Sequence, residues 1–423
     1  MNSYTVPAWL LLLATASAGT VTLAPGDDVG AALAAAAPGD TLLFAAGTCS
    51  GPITVPPGKT GLVLKAKGAA VLDGRPGGAP VGPVPVIQSD GVQVLGFTIQ
   101  HAQPGPTAEG IKADDDLNFG TIDGLQVRDC RILNCDGPAV LVAGDDAVVA
   151  DCLVSGCAGL SITGDRARIE RTTVRASDTD ALVLTGDDAL VSRCTVSIAD
   201  GIGVWLTGDR AQLLSSSVTG CASIGVSVTG GDFTLSKNKV SHCMDGVVVG
   251  TSTVLGLVEA NRISDCRSRS LLNLECSSVL IRKNVIERCG LDHVASLHVQ
   301  ASGCTLESNV IRDGDGNAFM VKGDGNVLRK DKAFDNLGDG FIVQVGVGNL
   351  FEACTALGNR GEGFQNDEAN FAGDATGTQL DGCKAKGNRR DVAVLTAFFA
   401  LGIAFETGGN DPGNPEHQPE IDD

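Results

Sequence analysis

Apolar and polar residues alternate in short units along most of the chain, most clearly from Ala139 to Thr229. There the sequence reads AVLVAGDDA, GLSITGDRA, ALVLTGDDA, GVWLTGDRA and GVSVTGG, and a short polar piece follows each unit. Four aspartates hold equivalent places, in steps of 20, 22 and 22 residues: Asp145, Asp165, Asp187 and Asp209. Units this short, with period-2 alternation and Gly/Asp turns, predict stacked β-coils rather than helices.

Two further positions repeat once per coil and extend this register in both directions. The first position follows a short apolar strand and is held by Cys130, Cys152, Thr172, Cys194, Ser216, Asn238, Asn261, Asn284, Asn309, Asp331, Cys354 and Cys383. The second comes five residues later and is held by Cys135, Cys157, Ser177, Ala199, Cys221, Cys243, Cys266, Cys289, Gly314, Asn336, Asn359 and Asn388. Stacked coils lie ~4.8 Å apart, so equivalent side chains align in ladders. Small and amide side chains suit such interior turns, because Asn can satisfy backbone groups that would otherwise be buried unpaired.

The repeat apolar-x-apolar-x-x-Asn-x-Ile, followed by Gly-apolar-x-apolar, resembles the right-handed parallel β-helix of the pectate-lyase-like superfamily. The resemblance covers roughly residues 60–390. It implies an all-β, single-stranded solenoid with coils of about 22 residues and an N-terminal helical cap. This architecture hosts lyases, hydrolases, esterases, epimerases and non-catalytic proteins, so the fold alone does not assign an activity.

The two ends of the chain differ from the repeat. Residues 1–18 resemble a secretory signal peptide, with a short apolar core and the cleavage pattern Ala16-Ser17-Ala18, which predicts a secreted, extracellular or periplasmic protein. We expect one β-helix domain over 19–391, of which 19–60 form the N-terminal cap and first strands. The cap would include a helix over 27–37 that shields the first coil. Residues 392–423 are predicted to form a C-terminal cap, as strand or helix, and a disordered acidic tail.

The composition of the chain limits the kinds of partner that we expect it to bind. Lys and Arg number 31 against 50 Asp and Glu, a net charge of −19, which argues against nucleic acid and anionic membranes. Polyanionic substrates would then benefit from bridging Ca²⁺, the one candidate cofactor. No apolar run reaches the length of a membrane span. Eleven of the 14 cysteines fall on the two ladders, where they serve as small interior spacers or could pair between coils. We expect a monomer whose partner is an extracellular polysaccharide.

In this superfamily the substrate groove follows the Gly-apolar-x-apolar strand. Its outward positions are predicted to be Lys112, Leu141, Ser161, Val183, Trp205, Ser227, Val248, Asn273, Met320, Ile342 and Gln365. Polar and charged side chains are concentrated near the C-terminal end of this face. The predicted catalytic residues are Lys322, His298, Arg269, Asp292 and Asp315, and the predicted substrate-binding residues are Trp205, Asn273, Glu275, His293 and Gln344. An N-terminal cluster could bind Ca²⁺ through carboxylates: His101, Glu109, Lys112, Asp114, Asp115 and Asp116.

These residues favour a protein that acts on or binds polysaccharide. In β-elimination, Lys322 or His298 would be the base and Arg269 would neutralise the substrate carboxylate. Tyr4 is the single tyrosine and lies in the predicted signal peptide, so no mature tyrosine can be the base. One alternative is a glycoside hydrolase that uses paired acids such as Asp292 and Asp315. The other is a non-catalytic carbohydrate-binding or structural solenoid, in which these charges only solvate turns and strand edges.

Overall fold

The computed structural model describes residues 18–50, 53–75, 82, 84–103, 108–113, 121–250, 254–274, 276–290, 294–366, 377–393 and 399–401. Within these ranges the chain forms 47 strands and one helix. The predicted all-β architecture is confirmed: the strands build a right-handed parallel β-solenoid of about 14 turns. Each complete coil contributes one strand to each of three parallel sheets, called here sheets A, B and C in the order in which a coil meets them.

Sheet A has 17 strands, which in order of pairing are β1 (Thr20–Leu23), β2 (Thr41–Phe44), β5 (Val63–Ala66), β8 (Gln93–Leu95), β11 (Gln126–Arg128), β14 (Val148–Ala150), β17 (Arg168–Glu170), β20 (Leu190–Ser192), β23 (Gln212–Leu214), β26 (Phe233–Ser236), β29 (Val254–Glu259), β32 (Ser277–Arg282), β35 (Thr305–Glu307), β38 (Val327–Arg329), β41 (Leu350–Glu352), β44 (Gln379–Asp381) and β47 (Phe399–Leu401).

Sheet B has 15 strands, which are β3 (Gly47–Ser50), β6 (Ala70–Asp73), β9 (Thr98–Gln100), β12 (Arg131–Leu133), β15 (Leu153–Cys157), β18 (Thr173–Ser177), β21 (Thr195–Ala199), β24 (Ser217–Cys221), β27 (Lys239–Ser241), β30 (Arg262–Ser264), β33 (Val285–Glu287), β36 (Val310–Arg312), β39 (Lys332–Phe334), β42 (Thr355–Leu357) and β45 (Lys384–Lys386).

Sheet C also has 15 strands, which are β4 (Thr54–Val55), β7 (Val86–Ile87), β10 (Ile111–Ala113), β13 (Val140–Ala143), β16 (Leu160–Thr163), β19 (Leu182–Thr185), β22 (Val204–Thr207), β25 (Ile224–Thr229), β28 (Asp245–Val249), β31 (Leu271–Leu274), β34 (Leu297–Gln300), β37 (Phe319–Lys322), β40 (Phe341–Val345), β43 (Glu362–Asn366) and β46 (Arg390–Ala393). It contains the Gly-apolar-x-apolar strands and therefore carries the predicted groove.

The core is a continuous column of inward-facing Leu, Val, Ile, Ala and Cys side chains. Near the C-terminal end this column becomes aromatic. Phe319 stacks on Phe341 with ring centroids 4.6 Å apart, and Phe341 stacks on Phe364 at 4.9 Å. Burying a coil's apolar face against its neighbours is what stabilises a solenoid, since a single coil cannot cover its own interior.

The first ladder position forms a hydrogen-bonded stack between sheets A and B. The side-chain oxygen of Asn261 accepts bonds from the backbone N–H of Asn238 at 2.9 Å and from its Nδ2 at 3.0 Å. The side-chain oxygen of Asn284 accepts the same two hydrogen bonds from Asn261, and that of Asn309 accepts them from Asn284. Each Nδ2 also donates to a strand carbonyl of the preceding coil, as Asn284 does to Val258. Where Asn residues stack, the ladder thus satisfies buried turn groups, as the sequence predicted.

The turn between sheets C and A explains the repeated Gly-Asp pair. Asp165 N–H donates to Asp145 Oδ1, and Asp187 N–H donates to Asp165 Oδ1, each at 2.8 Å. Gly186 before it has φ +144, and a Cβ there would lie 2.2 Å from the carbonyl oxygen of Gly164. Glycine is therefore required where the coils approach most closely, and aspartate links successive turns.

All 14 cysteines lie in the described ranges, are buried and form no disulfide there. The ladders stack Cys135 on Cys157, and Cys266 N–H lies 3.4 Å from Cys289 Sγ. They fill the interior as small apolar side chains, which is the first of the two roles that the sequence left open.

At the N-terminal end, α1 (Val29–Ala35) lies within the range predicted to be helical. Asp28 caps it by accepting a 2.9 Å hydrogen bond from Ala31 N–H, and Leu33 is buried. Its role as a cap over the first coil stays a prediction. At the other end, Phe399–Leu401 pairs with β44 and extends sheet A. Residues 394–398 and 402–423, like residues 1–17, lie outside the described ranges. No helix among the described residues is both long and apolar enough to cross a membrane.

Candidate functional site

The outward row of sheet C is continuous from coil to coil. Strand pairing places the following side chains side by side: Val86, Lys112, Leu141, Ser161, Val183, Trp205, Ser227, Val248, Leu272, His298, Met320, Ile342 and Gln365. From Leu141 to Ser227 these side chains are partly exposed, whereas from Val248 to Ile342 they are buried. The C-terminal part of the face is therefore a different environment, although the strands continue unchanged.

His298 lies at the centre of the buried part of this row. Its side chain is on β34 between Leu272 and Met320, and only 4% of the residue is exposed. Its Nε2 lies 3.2 Å from Nε2 of Gln300, two residues further along the same strand. Burial, and then the positive charges of Lys322 and Arg269, lower the pKa of His298 to about 3. The imidazole is thus uncharged at neutral pH and has cations on neighbouring coils.

Lys322 and Gln344 lie where the pairing of sheet C is irregular. Val321 pairs with Val343, but Lys322 pairs with Val345, so Gln344 is an extra residue in β40. The Oε1 atom of Gln344 is buried and has no hydrogen-bond partner among the described residues. A β-bulge redirects side chains locally and is common beside active sites. The irregularity places Gln344, whose amide oxygen is unsatisfied, beside Val345, the pairing partner of Lys322, next to the row that holds His298.

Arg269 lies in the turn before β31, one coil before His298. Its backbone N–H donates a 3.0 Å hydrogen bond to Asp245 Oδ1, which fixes the turn. Its Nε is buried, again without a hydrogen-bond partner in the described part of the chain. A buried donor without a partner costs stability. Arg269, His298 and Lys322 thus occupy three successive coils of one face.

One predicted position on this face is wrong. Asn273 pairs with Val249 and Val299, points inward and is fully buried. Its Nδ2 donates to Cys276 O at 3.1 Å and lies 3.3 Å from Cys304 Sγ. Leu272 is the outward residue instead. The run Leu271, Leu272, Leu274 does not alternate cleanly, so only pairing with the neighbouring coils sets the register.

The other predicted outward positions are confirmed by the strand pairing. Sequence reasoning missed Gln300 as the hydrogen-bond partner of His298. Its place two residues after His298 on a strand was a usable signal, because residues i and i+2 lie on the same face.

Asp315 is exposed in the turn before β37, and its backbone N–H donates to Cys289 O at 3.1 Å. Other acids that precede strands of sheet C have structural partners. Asp180 Oδ1 accepts from Ile202 N–H at 2.6 Å, and Asp339 Oδ1 accepts from Glu362 N–H at 2.6 Å. The column of acids therefore links turns of successive coils, which is the use that turn chemistry predicts.

Trp205 lies on β22 in the middle of sheet C, and 39% of it is exposed. Val183 and Ser227 flank it along the row, and Thr185, Thr207 and Thr229 form the next outward row. A broad apolar ring beside hydroxyl groups on a flat face is suited to stacking against a sugar ring.

The N-terminal cluster is only partly within the described residues. His101 Nδ1 lies 3.3 Å from Asp73 Oδ1, and Gln100 Nε2 donates to Asp73 Oδ2 at 2.8 Å. Glu109 is buried. Asp114, Asp115 and Asp116 lie outside the described ranges, so the Ca²⁺ hypothesis stays a prediction. In the part of the chain that the structure describes, no group of three or more His, Cys, Asp or Glu side chains is arranged to hold a metal ion.

Three predicted site residues of the C-terminal cluster, Glu275, Asp292 and His293, also lie outside the described ranges.

The chain belongs to a family of repeat proteins described as the right-handed beta helix region. The family model matches residues 115–258, 179–325 and 246–411, which together run from 115 to 411 and cover more than half of the 423 residues. This confirms the resemblance that the repeats suggested. No curated protein matches the chain.

Solved structures of similar architecture include the A-module of a mannuronan C-5 epimerase from Azotobacter vinelandii, at 12% identity and TM-score 0.42, covering 87% of this chain and 93% of that one. The catalytic unit of an α-1,3-glucanase from Streptomyces thermodiastaticus matches at 13% identity and TM-score 0.49, covering 90% and 70%. A mannuronic-acid-specific family 6 polysaccharide lyase from human gut microbiota matches at 12% identity and TM-score 0.45, covering 88% and 92%. Likenesses at these identities assign no residue a role.

Proposed function

We propose that this protein is exported, binds a carboxylate-bearing polysaccharide along sheet C, and cleaves it by β-elimination on the C-terminal coils. One observation carries the proposal: Arg269 and Lys322 flank the buried, uncharged His298 on three successive coils of an otherwise acidic protein. The N-terminal stretch that resembles a signal peptide supports export.

Arg269 is suited to neutralising the substrate carboxylate. Its buried Nε has no hydrogen-bond partner among the described residues, and a guanidinium can bind a carboxylate through two parallel hydrogen bonds. Neutralising the carboxylate makes the adjacent C5 proton of a uronate more acidic. This lowers the barrier to proton removal, the difficult step of the elimination.

Lys322 is the better candidate for the base. It would take the C5 proton, the electron pair would form the C4–C5 double bond, and the C4–O bond would break, so that the leaving sugar keeps its oxygen and takes a proton from water. His298 is uncharged, but a group with a pKa of about 3 is a weak proton acceptor at neutral pH. We therefore assign His298 and Gln300 to positioning the sugar.

The test is to incubate the purified protein with uronate and neutral polysaccharides, with and without Ca²⁺. Ultraviolet absorbance reports unsaturated products, and reducing ends report any cleavage. We expect rising absorbance with a uronate polymer and a loss of at least about 100-fold in rate for Lys322→Ala, as for removal of a general base. Lys384→Ala removes a lysine of sheet B and is the matched control, with unchanged rate.

Two other results would overturn the lyase assignment. Reducing ends without absorbance would indicate hydrolysis and direct mutagenesis to the acids, including Asp315. Binding of a polysaccharide without any cleavage would favour the non-catalytic solenoid, for which the exposed Trp205 is the main support.

A further inference from the structure

A second face of the solenoid carries an arrangement that the proposed lyase site does not use. On sheet B, Lys239 of β27 pairs directly with Arg262 of β30. Both side chains are exposed. Like charges directly opposite each other on neighbouring strands destabilise a sheet. In a protein with 50 acidic residues against 31 basic ones, nothing in the overall composition requires two cations to be adjacent.

Hydroxyl groups surround this pair. Ser217 precedes Lys239 in one outward row, and Ser241 and Ser264 lie side by side in the next row. Together with the two cations they line a shallow depression of about 320 Å³ on the surface of sheet B. Three hydroxyls, an ammonium group and a guanidinium group therefore face one concavity. Two of the hydroxyls donate within the protein, Ser241 to Thr219 Oγ1 at 3.1 Å and Ser264 to the Asp265 carboxylate, and would rotate to donate to a ligand.

A buried carboxylate orients the arginines at the edge of this depression. Glu287, with only 1% of its side chain exposed, accepts from Arg262 Nη2 at 2.5 Å and from Arg312 Nε at 2.7 Å. Arg288 Nη1 lies 3.7 Å from the same carboxylate. Arg288 is also paired with Asp265, at 2.7 Å from Nε to Oδ1. Two carboxylates thus face three arginines, and Lys239 adds a further positive charge to this surface. The Arg262 guanidinium is held in place while 56% of its side chain is still exposed.

We propose that this depression binds a sulfate- or phosphate-type oxyanion. A tetrahedral oxyanion presents several acceptor oxygens in different directions, which matches donors converging from two strand rows better than the two coplanar oxygens of a carboxylate do. The bound anion would also remove the repulsion between Lys239 and Arg262. The site lies on sheet B, so it is independent of the proposed cleavage on sheet C.

The experiment measures binding of dextran sulfate by calorimetry at low ionic strength, with uncharged dextran and polygalacturonate as comparison polymers. We expect dextran sulfate to bind, dextran not to bind, and Lys239→Gln and Arg262→Gln each to weaken binding about tenfold, as for loss of a charge-assisted hydrogen bond. Added salt should weaken binding by the wild-type protein.

Lys65→Gln is the matched control, because Lys65 lines a depression of about 290 Å³ on sheet A that no hydroxyl lines and whose other cation, Arg128, is two strands away. It should bind dextran sulfate like the wild type. Thermal unfolding of each variant checks that the fold is intact; Arg312 and Arg288 still pair with Glu287 in Arg262→Gln. The proposal is overturned if the wild type does not bind dextran sulfate, or if Lys65→Gln weakens binding as much as Lys239→Gln does. Tighter binding of polygalacturonate than of dextran sulfate through Lys239 would also overturn it.

Discussion

The middle coils, from Ala139 to Thr229, and the C-terminal coils, from Gly246 to Val345, share strand pairing but differ in two places. Inside, the first ladder of the middle coils has Cys, Thr and Ser, whereas the C-terminal ladder has Asn and then Asp331. Outside, the sheet C row of the middle coils is partly exposed, whereas that of the C-terminal coils is buried around His298.

The difference separates coils whose repeated residues stabilise the fold from coils whose residues also form the candidate site. In the middle coils, each aspartate of the turn between sheets C and A accepts a hydrogen bond from the N–H of the equivalent aspartate in the next coil. Arg166 and Arg210 pair with aspartates of the preceding coil. These groups satisfy one another. In the C-terminal coils, Arg269 Nε, Gln344 Oε1 and Asp331 Oδ2 are buried without a hydrogen-bond partner in the described part of the chain. Unsatisfied groups of this kind cost stability, so they mark positions with a role beyond packing.

The largest expected effect on stability concerns Asp331, which holds an Asn position of the ladder. Its Oδ1 accepts from Asn309 N–H at 2.7 Å and from Asn309 Nδ2 at 2.9 Å, but a ladder Asn would also donate to the preceding coil, here to the carbonyl of Leu306. Aspartate can donate only when protonated. Burial raises the pKa of Asp331 to about 7, and the negative charge of Glu307 acts in the same direction.

Since the folded-state pKa of Asp331 is above its ordinary value of 3.8, its contribution is fully present below that value and is lost as the pH rises through about 7. We expect Asp331→Asn to raise the free energy of unfolding by a few kcal/mol at pH 8 and much less at pH 4. Chemical denaturation at both pH values measures this. Asp313→Asn, at an exposed turn position, is the control and should leave the pH dependence intact. Equal stabilisation by Asp331→Asn at both pH values would contradict the ladder explanation.

A smaller effect compares the two kinds of ladder directly. Asn284→Ala removes the acceptor of Asn261 N–H and Nδ2 and the donor to Val258 O and Asn309 Oδ1. We expect a loss of about 2 kcal/mol in the free energy of unfolding, because several buried groups lose their partners. In the middle coils, Ser216→Ala removes one bond from Cys194 N–H and one to Leu214 O, and should cost about 1 kcal/mol. If both variants lose the same free energy of unfolding in urea denaturation, the Asn ladder stabilises the fold no more than the Ser position does.

The smallest effect concerns Trp205 in the middle coils. If the exposed ring stacks on a sugar, Trp205→Ala should weaken polysaccharide binding about fivefold to tenfold while stability changes little. Affinity electrophoresis with the bound polysaccharide measures this. Ile198→Ala removes another exposed apolar side chain, on β21 of sheet B, and is the matched control. If Trp205→Ala binds the polysaccharide as tightly as the wild type does, the middle coils are not part of the binding face.

The repeat made most of the fold predictable. Coil length, both ladders, the strand of sheet C and its outward row followed from the positions of apolar, Gly, Asp and Asn residues, because each coil must bury the same face against the next. For the same reason the interior cysteines were predictable from their ladder positions. The candidate site was predictable only in part: His298 and Lys322 lie on sheet C and Arg269 lies in the turn before it, but their roles stay predictions, and Asn273 was placed on the wrong side.

The sequence by itself determined a β-solenoid, its period and the identity of its interior ladder residues. The tertiary structure decided which of Leu272 and Asn273 faces outward, that Gln344 is an extra residue opposite Lys322, and that His298 is buried and uncharged. It also decided that Lys239 and Arg262 are neighbours. The physical reason is that alternation within one strand fixes only which residues share a face. Register, burial and ionisation depend on contacts with coils more than 20 residues away.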